Sequence, residues 1–535
     1  MPKQIILLSG PVCAGKTTLC DCFVDRFRAH PVKTKDILAT LGPKIERERG
    51  AMQEQGELLD TRTKGQWVRD AVAREANAVD ENALIVVDAV RIMPQIEAIR
   101  RAYGARVFHV HLTAIKSVLE KRYTRKQKLK GFKEFDSYEQ LTASKVEESI
   151  GDLANPADVV VQTDQCTKED VLVRVAAHVG LYGRECQRLV DVLVGGEYGS
   201  EGKGHIASYL AKEYEVLVRV GGPNAGHKVF EEPEPFTHHL LPCGTRSTSA
   251  QLVIGPGAVL SVSGLLDEIA KCSVPASRLS IDPQAMIIEE EDRKREAETI
   301  VKSIGSTGQG VGAATARKIM RGPDVRLARD VKELKPFLRY SRDALDDAFR
   351  AGKRVLLEGT QGAGLSLHHG YYPHVTSRDT CAAGCLAEAG ISPGRVRKTI
   401  MVCRSYPIRV QDPSRDATSG PMSQNLSWKE ISRRSGIPLS ELRRVERTST
   451  TNRRRRVAEF DWNLFRRAVS LNAPTDIALT FADYVSIKNR DARRLEQLTP
   501  ETVRFIEEIE RVASAPVSLI STRFDSRSII DRRSW

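Results

Sequence analysis

Long hydrophobic runs are missing from this sequence of 535 residues. The first apolar stretch, in MPKQIILLSGP, breaks at Gly10 and Pro11, so it is too short to span a membrane and lacks the layout of a cleavable signal. The ten cysteines form no disulfide framework, and packing explains Cys381 and Cys385 better than zinc binding does. These absences predict a soluble protein of a reducing compartment, the cytoplasm.

Aromatic residues make up only 6% of the chain and are not interleaved with the arginines of the run 453–456, although the net charge is +13. Much of that excess lies in the arginine run 453–456 and its surroundings, and no zinc-finger or RNA-recognition signature accompanies it. Forked guanidinium groups serve small phosphates and dicarboxylates as well as nucleic acid. Composition therefore leaves both ligand classes open, with direct nucleic-acid binding the weaker interpretation.

Short β-branched runs alternate with amphipathic stretches along the whole chain, which predicts an α/β protein with parallel sheets. In the first part these runs include IILLSG, NALIVVDAV, ARVFHVHLT and DVVVQTD, and RLVDVLVGG then restarts the pattern. The chain is too long for one ordinary domain. We expect two α/β domains, residues 1–182 and 188–535.

The first domain begins with a phosphate-binding loop between a strand and a helix. Its sequence GPVCAGKTT fits the P-loop pattern at Gly10, Gly15, Lys16, Thr17 and Thr18. Backbone amides of such a loop cradle phosphates, the lysine reaches the terminal ones, and Thr17 would hold magnesium.

The rest of the first domain resembles deoxynucleoside monophosphate kinases. Asp88 ends a predicted strand, where P-loop proteins place a carboxylate near magnesium, and Arg91 follows in DAVR. The resemblance implies that Arg91 grips the acceptor's phosphate and that EKRYTRKQ supplies a basic lid of Lys121, Arg122 and Arg125. A solvated basic helix explains the lid residues equally well.

A second glycine loop, GSEGKG, has no serine or threonine after its lysine, so it is not another P-loop. It opens a series of six ordered motifs that resembles the adenylosuccinate synthetase family over residues 188–535. The motifs are VLVGGEYGSEGKG, VRVGGPNAGHKV, IGSTGQGVG, LLEGTQGAGLSLHHGYYPHVTSRDT, TSTTNRRRR and LISTRFD.

The resemblance implies a ligase that phosphorylates the six-oxygen of a purine nucleotide and lets the amine of L-aspartate displace the phosphate. His227 would steady the transferring phosphoryl oxygens, Lys203 and the loop would hold the triphosphate, and Gly226 would contribute to a magnesium site. The implied loop and nucleotide-binding residues are Gly199, Glu201, Gly202, Gly204, Asn224, Gly226, Thr307, Gln361, Thr376 and Asp483. The implied aspartate-binding residues are Thr450, Thr451, Arg453 and Arg455.

Ser200 departs from the family pattern, which has an aspartate there as the base for the ring-nitrogen proton. A hydroxyl is not a base near neutral pH and is a weak metal ligand. Three explanations are open: a nucleotide-sensing protein without turnover, another group acting as the base, or a different substrate. A branch of the family, 2-aminoadenylosuccinate synthetase, acts on dGMP and carries serine at this site, so we favour a guanine nucleotide, with IMP next.

The phosphoryl donor is also open between ATP and GTP. The family's guanine-reading Thr-Lys-x-Asp is here Thr480-Phe481-Ala482-Asp483, and Arg523-Phe524 replaces a Gly-Pro. Phe481 offers an aromatic face, which makes ATP or dATP credible donors. The resemblance also implies a homodimer that lends an arginine across its interface, loosely matched by Arg317 or Arg321.

Overall fold

The computed structural model describes residues 4–42, 45, 48–127, 134–143, 145–182, 187–230, 234–414, 416–448, 452–525 and 527–535. The chain divides into two compact units, Met1–Arg184 and Glu185–Trp535. In the described part of the chain, no helix is both long enough and apolar enough to cross a membrane. Each unit is an α/β structure built on a parallel sheet, which confirms the predicted fold class.

The first unit contains one five-stranded parallel sheet with the order β2-β3-β1-β4-β5. Its strands are β1 Gln4–Ser9, β2 His30–Lys33, β3 Leu84–Asp88, β4 Val107–Thr113 and β5 Val159–Gln162. Sequence reasoning missed β2, which lies at the sheet edge, where its Pro31 removes no ladder hydrogen bond from an inner strand.

Helices cover both faces of this sheet. They are Lys16–Phe27, Thr34–Ala39, Arg49–Thr63, Gln66–Ala78, Met93–Tyr103, Lys116–Gln127, Tyr138–Thr142, Lys145–Glu148 and Lys168–His178. Two apolar clusters, one on each face, bury alternate residues of β1: Ile6 and Leu8 face one, Ile5 and Leu7 the other. Because both faces are covered, the strands read as continuous apolar runs.

The second unit is built on a nine-stranded sheet with the order β12-β10-β7-β14-β6-β15-β19-β20-β21, parallel except for the last pair. The strands of the unit are β6 Val190–Gly195, β7 Val216–Arg219, β8 His227–Val229, β9 Phe236–His238, β10 Gln251–Ile254, β11 Val259–Leu260, β12 Leu279–Ile281, β13 Met286–Ile287, β14 Val355–Glu358, β15 Val396–Arg404, β16 Ile408–Val410, β17 Asn425–Leu426, β18 Arg455–Ala458, β19 Asp476–Thr480, β20 Val517–Ser521 and β21 Ile529–Asp531.

The helices of the second unit lie on both faces of the large sheet and bury an apolar cluster on each. They are Lys203–Leu210, Val262–Lys271, Glu290–Glu298, Ile300–Ile304, Val311–Met320, Ser341–Arg350, Ala382–Ala389, Trp428–Ser435, Leu439–Val445, Trp462–Asn472 and Pro500–Ala513. The unit also has a smaller antiparallel sheet, β16-β18-β17. Its middle strand, β18, begins with Arg455 and Arg456, the last two residues of the arginine run.

Five neighbouring strands of the large sheet, β7, β14, β6, β15 and β19, end on the same side. Their last residues include the charged side chains Arg219, Glu358 and Arg404. The glycine loop 196–202 leaves the end of β6 and enters the helix Lys203–Leu210. The carboxyl ends of parallel strands are where α/β sheets bind ligands, so this edge is where a site is expected.

Candidate active sites

Two cavities lie at this edge of the second unit, of about 250 Å³ and about 840 Å³. Both are lined by Ser200, Lys203, Gly226, His227, Thr448 and Arg455. The residues implied to carry the chemistry therefore form the wall that the cavities have in common. A group transferred from a ligand in one cavity to a ligand in the other would pass these side chains.

The smaller cavity brings together the four residues implied to hold the acceptor nucleotide, Asn224, Thr307, Gln361 and Thr376. Gly199, implied to hold the triphosphate with the rest of its loop, also lines this cavity. The Asn224 amide donates to the hydroxyl of Thr376 at 3.4 Å, which connects two motifs far apart in the sequence. The distant motifs of the family pattern thus meet at one cavity, as an acceptor site requires.

The larger cavity contains the other loop residues, Glu201, Gly202 and Gly204, together with Asp483 and Phe524. Burial raises the pKa of Asp483 to about 6, and its Oδ1 has no hydrogen-bond partner among the described residues. The Phe524 ring, 40% exposed, lies 5.6 Å from the ring of His205. An aromatic ring and a carboxylate that line the same cavity are groups that can recognise a purine base.

The glycine loop is held together by a carboxylate of its own. Glu201 is fully buried, and its Oε1 accepts the backbone amides of Glu197 at 2.7 Å and Gly199 at 3.0 Å. Its other oxygen accepts from Lys203 Nζ. Gly199 and Gly202 have left-handed backbones with φ near +82° and +83°, as does Ser200 at +51°. Glu201 thus shapes the loop from inside.

His227 is oriented by two charged residues that sequence reasoning did not assign. Its Nδ1 lies 2.5 Å from Glu358 Oε1 and 3.0 Å from Arg219 Nη1, and Arg219 also donates to Glu358 at 2.7 Å. Burial raises the pKa of Glu358, but Arg219 and His227 outweigh it and hold the pKa well below its usual range. The carboxylate is therefore charged, and its Oε1 accepts from Nδ1–H of His227. Burial, and next the charge of Arg219, lower the pKa of His227 to about 4. The other ring nitrogen, Nε2, is left for a ligand.

The two arginines implied to bind aspartate differ in their surroundings. Arg455 lines both cavities and donates to Glu446 and Ser200, whereas Arg453 approaches the carbonyls of Gly305 and Ser306 at 3.4 and 3.5 Å. Thr450 and Thr451, also implied to bind aspartate, lie outside the described residues.

The first unit has its own cavity, of about 470 Å³, around the P-loop. Gly15, Lys16, Thr17, Thr18 and Asp88 line it. Lys16 donates to the carbonyls of Gly10 and Pro11, each at 2.7 Å, and burial lowers its pKa to about 7. The Thr17 hydroxyl donates to Asp88 Oδ2 at 2.7 Å, which places two oxygen ligands of the kind magnesium prefers side by side.

The basic residues expected around the acceptor phosphate only partly line this cavity. Arg91, which follows β3, lines it and pairs with Glu147. On the helix Lys116–Gln127, expected as the lid, Arg122 lines the cavity and donates to Cys13 and Thr163. Arg125 and Lys121 are exposed and lie outside the lining, where Lys126 is present instead. Arg49 also lines this cavity and was not anticipated.

Comparison with known proteins decides what the second unit is. The family model described as adenylosuccinate synthetase matches residues 192–332 and 324–490. This chain belongs to the adenylosuccinate synthetase family. It is 37% identical over 349 residues to adenylosuccinate synthetase of Thermococcus onnurineus, an alignment covering 64% of this chain and 98% of that protein. The chain is therefore a ligase of the adenylosuccinate synthetase type, joining aspartate to a purine nucleotide, as its motifs predicted.

Two solved structures share the fold. The fully ligated adenylosuccinate synthetase from Plasmodium falciparum superposes with a TM-score of 0.57 at 20% identity, covering 64% of this chain and all of that one. The succinoaminodeoxyadenylate synthetase of cyanophage S-2L, bound to dGMP and to dATP as an energy donor, gives a TM-score of 0.54 at 29% identity, covering 65% of this chain and 96% of that one.

Within this synthetase, sequence reasoning overlooked four buried charged residues: Arg219, Glu358, Arg404 and Glu446. Three of them end apolar strand runs, in VLVR, VLLE and TIMVCR, and a charge in such a run is a usable signal because it must be paired when buried. Glu446 follows a helix in a charged segment, and the sequence carries no signal that separates it from its exposed neighbours.

Among the described residues, one group could hold a metal through nitrogen, sulfur and oxygen: His227, Cys243 and Glu358, whose ligand atoms lie within 4.8 Å of one another. Glu358 already accepts from His227, Arg219 and the Cys243 amide. These hydrogen bonds account for the cluster without an ion. Cys381 and Cys385 are both buried core residues.

Proposed function

We propose that the second unit joins L-aspartate to the six-position of a guanine nucleotide, dGMP in preference to IMP, through a phosphorylated intermediate. The observation that carries this is that Ser200 lines the same cavity as Asn224 and Gln361, two of the residues implied to hold the acceptor nucleotide. A guanine has a 2-amino group next to the ring nitrogen, and a small hydroxyl leaves room for it and can accept its hydrogen bond. The similarity to an enzyme solved with dGMP supports the same choice.

The donor triphosphate would occupy the larger cavity, with its terminal phosphoryl group at the common wall. Lys203 would hold the phosphates there, and His227 Nε2 would meet the oxygens of the transferring group. As a phosphate approaches, its negative charge would favour the doubly protonated imidazole, which Glu358 balances. Magnesium, for which the Gly226 carbonyl is a candidate ligand, would supply positive charge to the phosphates.

ATP or dATP is the donor we propose. Asp483 lines the cavity and its carboxylate would accept the exocyclic amine of adenine, and Phe524 and Phe481 also line the cavity and offer aromatic faces for stacking. The cyanophage enzyme was solved with dATP. GTP is the alternative, because a carboxylate can also read the edge of guanine.

The first unit would be a nucleotide kinase that phosphorylates the synthetase product or a related deoxynucleoside monophosphate. Lys16, Thr17 and Asp88 would supply the triphosphate and magnesium contacts, and Arg91, which lines the same cavity, would bind the acceptor's phosphate. The two units would then carry out consecutive steps that both consume a triphosphate.

A homodimer is part of this proposal. Ile319 and Met320, 68% and 78% exposed, stand beside the exposed Arg321 at the end of the helix Val311–Met320, whose first turn lines the acceptor cavity. Arg317 is bound within its own chain by Asp292 at 2.7 Å, which leaves Arg321 the better candidate for reaching a partner. Light scattering on purified protein would measure the mass, and a monomer at working concentration would contradict the assignment.

The test is a substrate matrix of dGMP, GMP and IMP against ATP, dATP and GTP, with aspartate and magnesium. Mass spectrometry of the nucleotides would identify a succinylated product with dGMP, and His227→Ala serves as the inactive control. Turnover of IMP alone would overturn the substrate assignment. A protein that binds nucleotides but forms no product with any acceptor would instead be a sensor.

A further inference from the structure

Arg455 connects the unusual serine to a buried carboxylate. Its Nη2 lies 3.3 Å from Ser200 Oγ, and its Nη1 donates to Glu446 Oε2 at 3.0 Å. Its side chain is only 14% exposed, and it lines both cavities. Each terminal nitrogen therefore makes one hydrogen bond within the protein, and together these two contacts hold the guanidinium group next to Ser200.

A second arginine converges on the same serine. Arg404, at the end of β15, is fully buried, stacks on the Phe481 ring with 4.0 Å to its centroid, and donates to the Ser200 carbonyl at 3.2 Å. Glu446 accepts from it at 3.0 Å and from the Tyr484 hydroxyl at 2.6 Å. Burial opposes the charge of Glu446, but Arg404 and Arg455 outweigh it and lower its pKa to about 2.

The charges around Ser200 do not cancel. Two guanidinium groups share one carboxylate, and the neighbouring Lys203 is matched by Glu201. Glu197 does not correct the balance, because burial and next Glu201 raise its pKa well above the usual range. Among the charged groups that contact Ser200, the two guanidinium groups of Arg404 and Arg455 thus share the single carboxylate of Glu446. An aspartate at position 200, as in the family pattern, would add a second carboxylate beside them.

We propose that Arg455 is a catalytic residue that stabilises the anionic form of the acceptor's purine ring, in place of the aspartate base that Ser200 has replaced. Bulk water takes the ring-nitrogen proton, and the electron pair shifts to the six-oxygen. That oxygen attacks the γ-phosphorus of the donor, the bond to the β,γ-bridging oxygen breaks, and a nucleoside diphosphate leaves. A fixed positive charge beside the ring lowers the cost of the anion without itself accepting a proton.

This inference rests on the proposed use of a guanine nucleotide. It gives different roles to Arg453 and Arg455, for both of which the motif implies aspartate binding. Arg453 has only two long contacts to carbonyl oxygens among the described residues, so it is the better candidate for the carboxylates of aspartate. Arg455 then acts before aspartate, in phosphoryl transfer. Glu446 is the positioning residue, because it holds the guanidinium group of Arg455 next to Ser200.

The two steps can be measured separately by positional isotope exchange. ATP labelled with ¹⁸O in the β,γ-bridge is incubated with dGMP and no aspartate, in a Lys16→Met background that removes phosphoryl transfer by the first unit. Reversible formation of the phosphorylated purine moves the label within the β-phosphate. We expect exchange in the parent chain, a fall of about 100-fold with Arg455→Gln, and a fall of about 10-fold with Arg455→Lys, which keeps the charge.

Two further variants complete the comparison. Arg456→Gln changes the next arginine of the run, which pairs with Asp412 at 2.6 Å, and should leave the exchange unchanged. Arg453→Gln should retain exchange while losing succinylated product, because it affects aspartate alone. Calorimetric binding of dGMP to each variant shows that the fold and the acceptor site persist.

The outcomes are distinct. Exchange at the parent rate in Arg455→Gln, with product formation lost, would make Arg455 an aspartate ligand and overturn the inference. Loss of exchange in Arg455→Gln with dGMP binding intact would support it. No exchange with dGMP in the parent chain, but exchange with IMP, would overturn the proposed substrate instead.

Discussion

The two glycine loops of this chain close around their lysines in different ways. In the first loop Lys16 donates to two backbone carbonyls, of Gly10 and Pro11. In the second loop Lys203 pairs with a buried carboxylate, Glu201, which also occupies the amides of Glu197 and Gly199. Similar glycine and lysine composition therefore builds a loop stabilised by its own backbone and a loop stabilised by an internal ion pair.

The difference indicates how each loop is prepared for phosphate. A loop without an acidic residue presents amides and a cation to an incoming triphosphate. A loop in which two amides already donate to an internal carboxylate would bind phosphate mainly through Lys203, the start of the helix Lys203–Leu210 and His227, which line the larger cavity. The first loop has the features of a general phosphate site. The shape of the second loop depends on the buried pair of Glu201 and Lys203.

The largest expected effect comes from removing each lysine in turn. Lys203→Met should lower succinylated-product formation by about 1,000-fold, and Lys16→Met should lower monophosphate phosphorylation to a similar extent, because each removes the positive charge that the proposed functions assign to the transferred phosphoryl group. Product analysis by mass spectrometry measures both reactions in one sample. Each variant is the control for the other, and equal loss of both activities in either variant would refute separate sites.

Exchanging Ser200 for the family's aspartate should give the next largest effect. Ser200→Asp should lower turnover of dGMP by about 100-fold, because the carboxylate crowds the 2-amino group and neutralises Arg455, and it should raise turnover of IMP. Competition assays with both nucleotides measure the ratio. Ser200→Ala, which is small but cannot accept a hydrogen bond, is the matched control. An unchanged ratio in Ser200→Asp would mean that position 200 does not select the acceptor.

Breaking the ion pair should affect the second loop alone. Glu201→Gln keeps an oxygen for the amides of Glu197 and Gly199 but leaves Lys203 buried without a counter-charge, at a cost of about 3 kcal/mol in the free energy of unfolding. Denaturant unfolding followed by the fluorescence of Trp428, Trp462 and Trp535 in the second unit measures it. A loss below 1 kcal/mol would show that the pair is not the main support of the loop.

The smallest expected effect concerns the strands under the first loop. Ser9 Oγ lies 2.7 Å from His109 Nε2 and 2.9 Å from His111 Nδ1, and burial, the largest cause for each, lowers both pKa values to about 4. The unfolded chain takes up these protons near pH 6.5, so stability of the first unit should fall as the pH drops from 6.5 to 4. A His109→Gln, His111→Asn variant should lose part of this pH slope in thermal unfolding, and an identical slope would contradict the assignment.

The motifs of the second unit could be predicted from sequence because each combines glycines with residues of one chemical role. The strands before them were predictable for a similar reason, since apolar runs such as VLVGG and KRVLLEG must be buried. The partners of the candidate catalytic groups were not predictable. Glu358 and Arg219 meet His227 only because β7 and β14 are neighbours, and strand order does not follow from local sequence. Glu446 reaches Ser200 through Arg455 across 246 positions of sequence for the same reason.

The wall of six residues that both cavities of the second unit possess has a practical consequence for inhibition. Under the proposed assignment of an adenine nucleotide to the larger cavity and a guanine nucleotide to the smaller one, a single molecule carrying both bases, joined by a short phosphate chain, would fill both cavities at once. Its second half would bind at the high effective concentration that a tether creates, so its affinity should far exceed that of either nucleotide alone.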